Sequence, residues 1–103
     1  MGSGDIRALK THIRRLIDTQ YGGFMCRTLA QAAEEGLAVS FAVYPLETTK
    51  ACEFQYEFDL YRITASNVDG FAEQIARATY DRYVIVGGVE LSAEDIYCVD
   101  IIS

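Results

Sequence analysis

The stretch CEFQYEFDLY, residues 52–61, alternates with a period of two. Cys52, Phe54, Tyr56, Phe58 and Leu60 fall on one side, and Glu53, Gln55, Glu57 and Asp59 on the other. Successive side chains of an extended chain point to opposite faces. The pattern therefore predicts a strand with one aromatic face packed and one acidic face in water. After Leu60 the phase slips, because Tyr61 and Ile63 are apolar while Arg62 is charged, and a bulge or strand end is expected there. The strand needs partners. LAVSFAVY at 37–44 alternates Leu37, Val39, Phe41 and Val43 against Ala38, Ser40, Ala42 and Tyr44, and Pro45 ends it. Its small second face predicts a strand covered on both sides or nearly so. YVIV at 83–86 predicts a third strand, interrupted by Gly87 and Gly88, and IYCVDII at 96–102 a fourth.

Three stretches carry the helical period instead. Ile6, Leu9, Ile13, Leu16 and Ile17 mark residues 5–20, which Gly22 and Gly23 end. Met25, Leu29, Ala32 and Ala33 mark a second helix over about 24–35, with Gly36 placed for a left-handed C-terminal cap. Val68, Phe71, Ala72, Ile75 and Ala76 mark a third, capped by Ser66 or Asn67, with Asp69 in its first turn. The order is α-α-β-β-α-β-β. The expected fold is α+β: an antiparallel four-stranded sheet of two hairpins with helices packed on one face. The 103 residues, half of them hydrophobic and with one proline, suit a single domain over 1–103. Residues 1–4, MGSG, read as disordered, of artificial origin or native, and carry no functional weight.

Most catalytic chemistry lacks its residues here. His12 is the one histidine; it lies at the margin of the first apolar stripe, and its plain reading is solvated or edge-packed. Cys26, Cys52 and Cys98 are odd in number and far apart, which suits buried thiols in a reducing compartment and neither zinc nor disulfides. There is no GxSxG motif, and GGVELSAE at 87–94 lacks the lysine of a phosphate-binding loop. A turn or bulge is the better reading of that glycine pair. No apolar run approaches the roughly 18 residues that cross a membrane, and the N-terminus has no secretory stretch. The chain is expected to be cytoplasmic, with no cofactor, no metal and no enzymatic activity. The glycine corner between the first helices resembles a helix–turn–helix, but its second helix carries Arg27 alone and ends in Glu34 and Glu35, so direct nucleic-acid binding is not expected.

Charge has a direction. Net charge is −6, but residues 1–33 carry five bases and two acids, and residues 34–103 carry thirteen acids and four bases. Such asymmetry bears on partners rather than on fold. Glu53, Glu57 and Asp59 share one row of the predicted strand, and Asp100, with Glu90, extends it if the last hairpin joins the sheet. Seven tyrosines and no tryptophan add interface-forming area, with Tyr61 beside the row. The expected partner-binding residues are Glu53, Glu57, Asp59, Tyr61 and Asp100. Their expected partner is a protein with a basic surface. The plain alternative is a solvated strand face.

An acidic chain of about a hundred residues, with EFQYEFD on a strand and no catalytic constellation, resembles the small phage inhibitors of bacterial defence, the anti-CRISPR and DNA-mimic anti-restriction proteins. The resemblance is one of composition, with no shared motif and no residue to carry over. It implies a non-enzymatic protein that blocks a nuclease or effector complex, such as a CRISPR or restriction effector, by occupying its surface. The basic first helix departs from uniform mimicry and allows a two-sided contact, or self-association with the acidic part. The alternative reading is a homodimeric structural or regulatory module that uses helix 1 or IYCVDII as an edge. An enzyme of unrecognised type stands behind both.

Overall fold

The computed structural model describes residues 2–54 and 59–102. Helix α1 spans Gly2–Gln20, α2 Phe24–Glu35, and strand β1 Val39–Pro45. A short helix α3 covers Lys50–Phe54, followed by β2 at Asp59–Ile63 and α4 at Val68–Tyr80. A π-helical segment, Asp81–Val86, continues α4; a 3-10 turn, Ala93–Asp95, leads into β3, Ile96–Ile102. The strands form one antiparallel sheet in the order β2-β1-β3.

The helical periods are realised as packing. Leu9, Ile13 and Ile17 of α1 are buried, as are Met25, Leu29 and Ala32 of α2 and Phe71, Ala72, Ile75 and Ala76 of α4. They meet Val39, Phe41, Val43, Ile63, Ile96 and Val99 of the sheet in one core. At its centre the Phe41 and Phe71 rings lie 5.9 Å apart at 49°, a tilted contact of the kind aromatic pairs prefer. Gly36 closes α2 in the left-handed conformation at φ 69°, its N–H turned back onto the last turn, and Leu37 N–H reaches Ala32 C=O at 2.9 Å. Glycine takes that conformation without a Cβ penalty. Asn67 caps α4 by accepting from Gly70 N–H at 2.7 Å.

Three strands are described, not the expected four, although the α+β class stands. YVIV at 83–86 is helical. Tyr83 extends the buried α4 stripe of Ala72, Ile75, Ala76 and Thr79 by another turn, and no breaker precedes Gly87. Its β-branched residues fall to the outside, where Ile85 and Val86 are exposed. Gly87 N–H donates to Arg82 C=O at 3.0 Å, the wider π spacing, as the helix ends. The glycine pair therefore stops a helix and does not interrupt a strand.

The 52–61 strand is the second correction. Residues 46–49 form a turn closed by Thr49, whose N–H and hydroxyl both donate to Leu46 C=O at 3.1 and 2.7 Å. The chain winds on into α3, which places the small Ala51 in the core. Cys52 and Glu53 are thus helical, and residues 55–58 lie outside the described residues. Strand β2 pairs Ile63 with Val39 and Tyr61 with Phe41, while Leu60 stands opposite Ala42 and is exposed. This is the reverse of the expected phase at Leu60. The register runs unbroken from Asp59 to Ile63, so the expected bulge after Leu60 is absent; Ile63 is buried and Arg62 left in water because Leu60 itself turns outward.

Candidate site on the outer face of the sheet

With the core on one face, the alternate residues of the strands form the other. Across the outer face the register sets Arg62, Ser40 and Ile102 in one row and Leu60, Ala42 and Asp100 in the next, with Tyr44 beside Cys98. Leu60, Arg62, Tyr97 and Ile102 are exposed there. Beyond Tyr44 the ladder shifts, because Pro45 pairs with Ile96 and skips Tyr97. Proline offers no N–H to the ladder, and an irregularity there is its usual accommodation.

Asp100 is the fixed point of this face. The Tyr21 hydroxyl, from the corner after α1, donates to Asp100 Oδ1 at 2.8 Å. The Tyr44 and Tyr97 rings lie 6.4 Å apart at 50°. The Cys98 thiol faces Asp100 Oδ1 at 3.9 Å and receives the Gln20 amide at 3.5 Å. Gln20 also clamps the strand itself. Its Oε1 accepts from Val99 N–H at 2.8 Å and its Nε2 donates to Val99 C=O at 3.1 Å. The last residues of α1 thus close part of the open β3 edge and hold the site together.

Local charge shifts the titration of these groups. The bond to Asp100, then its charge, raises the Tyr21 hydroxyl above the ordinary tyrosine range. Burial, then Asp100, raises Tyr44 in the same direction. Burial followed by the Asp100 charge raises the Cys98 thiol. A thiol so raised stays protonated at neutral pH and is a poor nucleophile or metal ligand. Cys26 is raised likewise, by burial and by its bond to Asp18.

The expected site residues separate. Asp100 is on the outer face. Tyr61 has the opposite parity and is half-buried against the core. Glu53 is exposed on α3. Asp59 opens β2 opposite Val43, and Glu57 lies outside the described residues. The expected single row of Glu53, Glu57 and Asp59 on one strand is therefore broken, since Glu53 is helical. Tyr21, Tyr44, Tyr97 and Gln20, which complete the Asp100 site, had no signal in the sequence beyond the abundance of tyrosine. Of the other tyrosines, Tyr80 is half-buried and Tyr83 fully buried.

The remaining candidates resolve locally. His12 Nε2 lies 2.6 Å from Ile96 C=O; a carbonyl can only accept, so the ring donates and ties α1 to β3. The shallow groove beside His12 holds Arg7, Arg15 and Glu94 but no tyrosine and no second carboxylate. No group of three metal-ligating side chains occurs among the described residues, and none of their helices is long and apolar enough to cross a membrane. No family model matches the chain, and no curated protein or solved structure matches it either.

Proposed function

We propose that the protein is a small non-enzymatic binding protein of the inhibitor type, which seats a protein partner with a basic surface against the outer face of its sheet. The observation that carries this reading is the open face built around Asp100, whose carboxylate is held by the Tyr21 hydroxyl among exposed Tyr97, Leu60 and Ile102. Aromatic side chains are enriched at interface centres, and a fixed charge beside them sets register and partner choice. The net charge of −6 supplies long-range attraction to a basic partner. A CRISPR or restriction effector, encountered in the cytoplasm, is the kind of partner the compositional resemblance implies. Glu53, Glu57 and Asp59 stay in the proposal as an outlying acidic contribution.

The homodimer reading through β3 is the weaker one, because Gln20 already occupies the N–H and C=O of Val99 on that edge.

The test is affinity capture from a bacterial lysate with three folded baits: the wild-type chain, Asp100→Lys, and the triple variant Glu53→Lys, Glu57→Lys, Asp59→Lys. The expected result is a nucleic-acid-binding complex on the wild-type bait that salt releases, lost with Asp100→Lys and weakened with the triple variant. Equal capture of the same complex by all three baits refutes the proposal.

A further inference from the structure

We infer that Asp100 with Tyr21, Tyr44 and Tyr97 forms a seat for one guanidinium group, an arginine side chain of the bound partner. The inference rests on the outer face being a contact surface and narrows that face to a residue type.

Three observations converge on it. First, the carboxylate is oriented without being neutralised. A carboxylate has about four acceptor positions. Among the described residues, the Asp100 carboxylate meets the Tyr21 hydroxyl at 2.8 Å and the Cys98 thiol at 3.9 Å, and both are uncharged groups. Acceptor capacity remains for a cation. Second, the flanking groups are aromatic and accessible. Tyr97 is 54% exposed and Tyr21 46%, and the Tyr97 ring is steadied by Tyr44 at 6.4 Å. An aromatic face within about 6 Å attracts a cation through its quadrupole. Third, the seat is rigid. Gln20 clamps Val99 next to Asp100 in sequence, and β1 pairs Ala42 with Asp100 along the strand. A preorganised seat loses less freedom on binding.

These groups favour guanidinium over ammonium. A guanidinium is flat, so it can stack on a tyrosine ring while its edge donates to the carboxylate. An ammonium is a compact and strongly hydrated charge that cannot do both as well.

The test needs no partner protein. The full chain is titrated with N-acetyl-arginine amide, and separately with N-acetyl-lysine amide, while amide shifts are followed by NMR. Expected are saturable shifts centred on Tyr97, Cys98 and Asp100, with millimolar affinity for the arginine probe, several-fold tighter than for the lysine probe. Salt weakens them, and Asp100→Asn abolishes them. Asparagine keeps the shape and an acceptor for the Tyr21 hydroxyl, so this variant is expected to fold. Absent shifts, equal shifts in Asp100→Asn, or lysine bound as tightly as arginine would each overturn the inference. A silent arginine probe with partner capture still lost in Asp100→Lys removes the seat and leaves the binding face. A bound probe with capture indifferent to Asp100→Lys does the reverse.

Discussion

Replacing Gln20 by leucine keeps bulk at the end of α1 and deletes both bonds to the backbone of Val99. The two bonds, at 2.8 and 3.1 Å, join residues 79 apart in the chain. Each neutral hydrogen bond contributes about 1 kcal/mol net. The pair is only part-buried, so water can take over some of it, and the expected loss is about 1–2 kcal/mol. For a chain of 103 residues that lowers Tm by about 5–10 °C. The local effect is sharper. With β1 on its other side, Val99 turns its N–H toward Gln20, so the variant leaves that donor to solvent. A loss of 1.4 kcal/mol raises its hydrogen-exchange rate about tenfold, while the amides of Ile13 and Ile75 change only with global stability. An unsealed edge is also a template for strand pairing, so the variant is expected to self-associate more at high concentration. Thermal melts, amide exchange and sedimentation read the three effects. A folded Gln20→Leu protein with unchanged Tm and unchanged Val99 exchange would refute the clamp.

Two further outcomes follow from single groups. Thr79 is fully buried, and among the described residues its hydroxyl has no hydrogen-bond partner; Thr79→Val keeps the shape, removes that desolvation cost and should raise stability by about 1 kcal/mol in urea denaturation. A destabilised variant would mean the hydroxyl is satisfied. Tyr21 is raised by its bond to Asp100, and Tyr44 by burial and then by Asp100, so the folded state holds their protons more tightly than the unfolded state does. That stabilisation is complete below about pH 10, the unfolded tyrosine value, and is lost as pH rises through the folded values. Ultraviolet titration should show two tyrosines ionising late, with Asp100→Asn bringing them earlier; coincident curves for the two proteins would refute the contact.

What could be read from the chain divides by range. Gly36, Asn67 and the stripe of α1 act within a turn or two, and each does in the fold what its neighbours in sequence imply. Over 98–102 the outward Asp100 follows from alternation once β1 lies beside it, whereas the shift at Tyr97 that turns Ile96 inward has no signal in the strand itself. The two misread segments depend on distant packing. YVIV has strand-forming residues, yet the core accepts Tyr83 as one more turn of α4, and burial outweighs β propensity. CEFQYEFDLY alternates, yet Ala51 enters the core from a helical turn, and β2 begins at Asp59 with Tyr61 and Ile63 facing in. The Asp100 site was illegible for the same reason: its partners come from a helix corner, from β1 and from its own strand, and no local pattern joins Tyr21 to Asp100.

Charge behaves differently in the fold than along the chain. The bases of α1 look free in sequence, but Lys10 pairs with Glu73 at 3.5 Å and Arg14 with Asp69 at 3.4 Å, both on α4. Arg14 also pairs with Asp18, which accepts from the Cys26 thiol at 3.0 Å; that bond and the guanidinium hold the Asp18 carboxyl below its ordinary range. Exposed pairs of this kind add little stability. Their effect is on what the surface presents. They set part of the basic charge of α1 against α4 within one molecule, which weakens the attraction between the basic region of one copy and the acidic region of another. The outer face of the sheet lies across the core from that network, so the proposed partner would meet Asp100 and Arg62 there rather than the paired bases of α1.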